Sequence, residues 1–536
     1  MSIQTIIESI KSVNTIDLFI LIFATCISTY IFNFYYKYYT RPNPLPGPFP
    51  LPFFGNSHNC GPDVKEFYEQ CQQKYGDICE VMLDRRYIIL SRPNYIKKLF
   101  SPAQFYMRLP NSQGTVELGM CNHGLFFNET YKSWNYNKQF FAEALSAKFI
   151  EASIININQI YEEMSGYWQS LGKQNASKKN NNNNWTLETD FSAWFHGFIN
   201  DVTSILATGK RTYSITSYYN TLSINKSELP DALVEDGNNF VKALVKFLES
   251  LLFFSFYSPF TRHYVPIFKS KSNSYLSNRD YLYNKLDNIV KKRRTEIKEM
   301  PETRMKKDML TSLITAETVV EGEKFKPMTD VEIRMNLLDI FLGGSDTTAN
   351  LFCFITYYLC KHPNVKEKML SEIDSISKSF GKPYLSCDDL RKLKYCEAII
   401  KEASRLMAPV PFTFRHTTSE CEIAGYKWPA GTDFHINFAG AHGHPECWDN
   451  PKIFDPDKFC NNDNDNDNDR SAWMPFGGGK RICPGKNLAT IELLLLMSSV
   501  YKNYNVELVN EHEPLKVNTQ LIANCTELKV RISPRT

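Results

Sequence analysis

One cysteine stands where its chemistry is set by its neighbours. The stretch Phe476-Gly-Gly-Gly-Lys-Arg-Ile-Cys-Pro-Gly485 places Cys483 at the end of a glycine-rich loop, just ahead of an apolar segment of helical pattern, Asn487 to Val500. Free amide hydrogens and the positive end of the helix dipole favour a thiolate at such a terminus. Three consecutive glycines are entropically costly unless backbone must approach something closely, and a large, flat ligand over the loop would supply the reason. A structural cysteine in a turn is the plainer reading. A phosphate-binding loop is the other rival, but Lys480 occupies its first glycine and Asn487 its hydroxyl residue.

A second group of polar residues interrupts an apolar helix expected over about Val331 to Cys360, where Gly343-Gly-Ser-Asp-Thr-Thr348 falls between LLDIFL and ANLFCFITYYLC. Two glycines in a helix cost about 1 kcal/mol each relative to alanine, and an acid with two hydroxyls adds a desolvation cost. A kink, with the Thr347 hydroxyl bonded back to the Gly343 carbonyl, accounts for part of this. A third pair, Glu402 and Arg405, lies at i,i+3 on the helix LKYCEAIIKEASRLM; on a surface such a pair contributes only about 0.2–0.5 kcal/mol.

Together these segments resemble the cytochrome P450 family, the haem-thiolate monooxygenases. The cysteine loop fits F-x-x-G-x-R-x-C-x-G, the interrupted helix fits [AG]-G-x-[DE]-T-[TS], and Glu402-Ala-Ser-Arg405 falls about eighty residues before the cysteine, as the family's E-x-x-R does. The resemblance implies a mainly α fold with small β-sheets, one large haem-binding domain behind an N-terminal transmembrane helix. It makes Cys483 the ligand to the iron of haem b, with Phe476 shielding the sulfur. The loop glycines, among them Gly479 and Gly485, let amides reach the sulfur, and Arg481 meets a haem propionate. Asp346 and Thr347 become the proton relay of oxygen activation, and that relay separates a monooxygenase from the alternative, a membrane-tethered electron carrier or ligand sensor.

Weaker matches extend the resemblance. Trp134-Asn-Tyr-Asn-Lys138 is similar to W-x-x-x-R and implies propionate contacts from Trp134 and, with lysine for arginine, a weaker one from Lys138. Arg415 falls at another propionate position. Phe454-Asp-Pro-Asp-Lys-Phe459 is similar to F-x-P-x-R-F, so Lys458 joins Glu402 and Arg405 in a structural network without arginine's bidentate fork. Ala441-His-Gly-His-Pro-Glu-Cys-Trp448 carries His444 where aspartate is usual; its H-x-H pair lacks further ligands for a metal. Aromatic residues between Phe105 and Phe127 and around Phe240 to Phe260 fall where the family builds its access channel, which implies an apolar substrate such as a sterol, fatty acid or xenobiotic.

These residues need a scaffold and an address. Leu18 to Tyr36 runs nineteen residues without a charge, about 28 Å as a helix, which matches a hydrocarbon core of ~30 Å. Lys37 and Arg41 follow it, favouring a cytoplasmic domain. Residues 41–52 hold six prolines and form a semi-rigid spacer. The expected organisation is therefore an anchor over 1–40, a hinge over 41–52 and a catalytic domain over 53–536, in the endoplasmic reticulum membrane and facing the cytosol. The whole chain has 536 residues and a net charge of +3, too small a field for gripping nucleic acid. Its fourteen cysteines contain no C-x-x-C pair, so zinc ribbons and thioredoxin-type motifs lose their signature. No flavin or nicotinamide fingerprint occurs, so electrons come from a partner, an NADPH–cytochrome P450 reductase on the resemblance. Arg470, Lys480, Arg481 and Lys486 form a basic stretch suited to an acidic flavoprotein. The asparagine run from Asn180 to Asn184 and the Asn/Asp tract from Asn461 to Asp469 read as exposed insertions.

Overall fold

The computed structural model describes residues 14–61, 63–100, 103–178, 185–299, 308–316, 319–320, 323–324, 327–380, 385–460 and 472–535. The two low-complexity tracts and Arg470 lie outside them. Helix α1 (Thr15–Tyr39) has no buried residue, and it is the one described helix long and apolar enough to cross a membrane.

The core is helical because long apolar stripes must bury against one another. Helices α2 (Tyr131–Ala144), α3 (Ala147–Lys178), α4 (Phe191–Thr208) and α5 (Gly237–Phe256) precede a broken pair, α6 (Asp330–Gly344) and α7 (Asp346–Lys361). Then come α8 (Lys394–Leu406) and α9 (Lys486–Asn503). Apolar residues of α3, α4, α7, α8 and α9 share one cluster. Within it the Phe195 and Phe352 rings meet at 4.3 Å and join α4 to α7. A capping box starts α6: Thr329 Oγ1 accepts from the Glu332 amide, and Glu332 accepts from the Thr329 amide at 2.8 Å.

A four-stranded sheet packs at the other side of the cavity described below. Its order is β1 (Ile78–Met82), β2 (Arg86–Leu90), β4 (Asp433–Asn437), β3 (Phe412–His416), with β2 and β4 parallel and the other pairs antiparallel. Strand β4 is buried along its whole length, as a central strand should be.

The proline segment does more than space two bodies. Arg41 pairs with Glu80 on β1, the Glu80 amide donates to the Pro46 carbonyl at 3.0 Å, and Leu45 is buried. A Cβ on Gly47 would lie 2.1 Å from the Glu80 carbonyl, so the chain lies flat on the sheet edge. The spacer is thus docked along its first half, where Arg41 joins Arg86 of β2 on the buried Glu80 carboxylate.

Candidate functional site

The break between α6 and α7 is built from the residues that should disfavour a straight helix. Ser345 sits between the two segments, and the Thr347 hydroxyl donates to the Gly343 carbonyl at 3.0 Å. That bond turns the Thr347 side of the break toward a cavity of about 310 Å³. Asp346 faces away from it, buried, with one carboxyl oxygen unpartnered; burial pushes its carboxyl up to about 6, with His196 pulling the other way.

Opposite Thr347, the cysteine loop closes the cavity. The Cys483 amide donates to the Phe476 carbonyl at 2.9 Å, which folds the loop back on itself and aims the sulfur inward. Cys483, Phe476, Arg481 and Gly485 all line the cavity. Cys483 is exposed, and the protein crowded around its sulfur pushes the thiol up by desolvation, against the amides of Gly485 and Lys486 and the charges of Arg108 and Lys486.

Two of the three loop glycines serve the protein itself, a correction to the ligand-approach argument. A Cβ on Gly478 would lie 2.3 Å from the Phe100 ring, and one on Gly479, at φ +61°, would lie 1.7 Å from the Phe100 carbonyl. Gly479 does not line the cavity, whereas Gly477 does.

A concentration of positive charge occupies the remaining wall. Arg415 is buried on β3 and donates only to the neighbouring Phe414 carbonyl, at 2.7 Å. Burial, with Arg108 adding to it, pushes its guanidinium down to about 9. Arg481 is lowered by burial and by both Arg108 and Arg415, and it gives its protons to the carbonyls of Tyr106, Leu125 and Asn128. It also stacks 4.4 Å from the Trp134 ring, whose buried Nε1 has no partner. Lys138 lines the cavity and lies 5.5 Å from the same ring.

Arg108 has no place in the motifs of the sequence analysis. It lines the cavity, and its buried Nε has no partner. Its only signal in the chain is its position within the aromatic stretch from Phe105 to Phe127. From that stretch Phe126 and Phe127 also line the cavity; from α5 it is Leu248 and Leu251, while Phe240 and Phe247 are core.

These residues fit haem. An excess of buried arginine, with Arg415 facing no acid at all, and an orphaned indole N–H call for anionic oxygens, which two propionates supply, and a soft sulfur faces the same space. Glu402 and Arg405 lie elsewhere, fully buried and paired at 2.7 Å, which makes them more than the surface pair their spacing alone would give. Lys458 approaches Glu402 at 3.9 Å. His444 bonds Asp77 at 3.1 Å, and the described residues contain no metal-binding cluster of histidine, cysteine and acids. In the basic stretch Lys480 is exposed and bonded to the Tyr131 hydroxyl, Lys486 lies near the Trp473 and Phe476 rings, and Arg481 is buried.

Comparison with known proteins follows from this geometry. The family model described as Cytochrome P450 matches residues 45–532. Luvungin A synthase of Citrus sinensis is 32% identical over 253 residues, 47% of this chain and 51% of that protein. Protopanaxadiol 6-hydroxylase of Panax ginseng is 30% identical over 46% of this chain and 50% of its own length, and β-amyrin 6-β-monooxygenase of Solanum lycopersicum is 30% identical over 47% and 51%. The chain thus spans about half the length of the curated relatives it matches. The crystal structure of the cytochrome P450DA heme domain superposes with a TM-score of 0.74 at 20% identity, covering 92% of this chain and 98% of that one.

Proposed function

This chain belongs to the cytochrome P450 family, and on that premise we propose that it is a membrane-anchored haem-thiolate monooxygenase. It inserts one atom of dioxygen into a hydrophobic organic substrate, with electrons from an NADPH-dependent flavoprotein reductase. The observation that carries this reading is the facing of Cys483 and Thr347 across one largely apolar cavity lined by Arg108, Arg415 and Arg481, three guanidiniums against the buried carboxyls of Asp339 and Glu492.

Haem, when bound, supplies the oxygen activation and the electron acceptance. The chain's own residues do the rest. Cys483 would ligate the iron through Sγ, with the Gly485 and Lys486 amides turned toward the sulfur. Arg415, Arg481 and Lys138, joined by Arg108, would neutralise the propionates, and the Trp134 indole N–H would donate to one of their oxygens. Asp346, its carboxyl raised to about 6 by burial, is mostly ionised at neutral pH and would take up and release a relayed proton from behind the cavity wall. Thr347 Oγ1 spends its one proton on the Gly343 carbonyl and so offers the cavity its lone pairs; passing a proton on requires that bond to open as a new proton arrives. Phe126, Leu248 and Leu251 shape the substrate end as apolar wall. Relatives named for protopanaxadiol and β-amyrin support a bulky terpenoid-like substrate. Helix α1 supports a single-pass address in the endoplasmic reticulum with the domain, from residue 53 on, facing the cytosol. Exposed Lys480 supports docking of an acidic reductase on the face of the cysteine loop.

The carbon-monoxide difference spectrum of the dithionite-reduced protein tests this. A strongly red-shifted Soret band is expected, and Cys483→Ala abolishes it. Haem without that shift would move the reading to a carrier or sensor, and no haem at all would overturn it.

A further inference from the structure

The apolar run of α6 contains one acid, Asp339, which no motif of the chain claims. It is buried and lines the cavity. Its Oδ2 accepts from two consecutive amides, Leu125 and, at 3.2 Å, Phe126, which lie more than two hundred positions earlier. The loop is shaped for that contact: Gly124 has φ +68°, and a Cβ there would lie 2.4 Å from the same carboxylate oxygen. Only glycine lets the two amides arrive.

The far side of the same peptide is held by the cysteine loop. The Leu125 carbonyl accepts from Arg481 Nη1 at 2.6 Å, and Arg481 is two residues from Cys483. The Asn128 side chain donates back to the Gly124 carbonyl at 3.1 Å and keeps the turn closed. The peptide between Leu125 and Phe126 therefore joins the helix on one side of the cavity to the thiol loop on the other. Its N–H, that of Phe126, donates to Asp339, and its C=O, that of Leu125, accepts from Arg481.

We propose that Asp339 is a positioning residue: it latches the strap of residues 124–128 across the cavity and, through the Leu125–Phe126 peptide, sets Arg481 for its anionic partner. Loss of the latch frees the Leu125 carbonyl, and the Arg481 fork loses one of its three carbonyl acceptors. Burial pushes the Asp339 carboxyl up to about 7, opposed by the two amides and by Arg108 and Arg481.

Hydrogen–deuterium exchange of the full chain in detergent micelles tests the latch. In Asp339→Ala, the Leu125 and Phe126 amides exchange about tenfold faster or more, because no acceptor remains. In Asp339→Asn one carbonyl oxygen still accepts both amides, and exchange stays within about threefold of the parent. Gly124→Ala, which pushes the strap off from its own side, accelerates the same amides and remains informative if Asp339→Ala does not fold. The double variant exchanges no faster than the quicker single one. Unchanged exchange in Asp339→Ala, or Asp339→Asn as fast as Asp339→Ala, would overturn the proposal. Arg481's part is read separately, as faster haem transfer from Asp339→Ala than from Asp339→Asn to an apoglobin acceptor; equal rates would remove it. The transfer readout rests on the haem reading, but the exchange readout does not, so a chain that takes up no haem fails the former reading and leaves the latch to be judged by exchange.

Discussion

Arg405 and Arg415 are both buried, ten positions apart on adjoining elements, and their surroundings are opposite. Arg405 at the end of α8 spends every proton of its fork: two on Glu402 at 2.7 and 2.8 Å, the others on the carbonyls of His442, Pro451 and Ile453. The Trp448 ring covers its face at 4.9 Å. Arg415 on β3 has one backbone carbonyl and two neighbouring cations. A buried charge with a full set of partners belongs to the structure, whereas a buried charge without them marks where a ligand completes the balance.

The contrast breaks most sharply at the matched pair. Glu402→Gln leaves the Arg405 guanidinium in place without its counter-charge, inside the contacts that tie α8 to the segment from His442 to Asp455. Removing one member of a buried ion pair costs about 3–5 kcal/mol. A denaturant titration is expected to show that loss whether or not haem is present. A cost under about 1 kcal/mol would mean that water reaches the pair and that the burial argument fails.

Arg415 should behave in the reverse way. Arg415→Leu removes a buried cation that the protein alone does not neutralise, so the haem-stripped chain gains stability, by about 1 kcal/mol. Haem retention falls at the same time, by about tenfold, through the loss of one charged hydrogen bond. Opposite signs for stripped and loaded protein are the diagnostic. A variant less stable in both states would make Arg415 a structural residue like Arg405.

Which parts of this contrast were legible in the sequence follows from distance along the chain. Cys483, Phe476 and Arg481 sit within eight positions, so spacing alone carried the loop. The break at Gly343-Gly-Ser-Asp-Thr347 was legible because glycine and buried polar groups disfavour a straight helix wherever it packs. Glu402 and Arg405 were visible as a pair, but their burial comes from the carbonyls at 442, 451 and 453, which no local rule supplies. Arg108 and the Asp339–Gly124 contact were not legible at all. Gly124 reads as an ordinary turn glycine until the helix that meets it is known, and the packing of Gly478 and Gly479 on Phe100 is hidden in the same way. A one-dimensional pattern shows what a segment does to itself, and it is silent on contacts between segments hundreds of residues apart.

The smallest test falls at Lys458, where the matched cluster is least complete. Its Nζ lies 3.9 Å from Glu402 Oε1 and 3.4 Å from the Asn450 and Ile453 carbonyls, so one ammonium is shared among three distant acceptors. Glu402 Oε1 already accepts from Arg405 and from the Asp455 amide, and Lys458 is partly shielded, at 18% side-chain exposure. An arginine is longer and planar and presents a fork, so it can bond the carboxylate and a carbonyl together. Lys458→Arg is expected to raise stability by about 0.5–1 kcal/mol, with haem retention unchanged because the residue lies outside the cavity lining. A denaturation midpoint that stays put would show that the long contact is already compensated by solvent. A change in haem retention would show instead that the two arginine clusters communicate, against the separation drawn between Arg405 and Arg415.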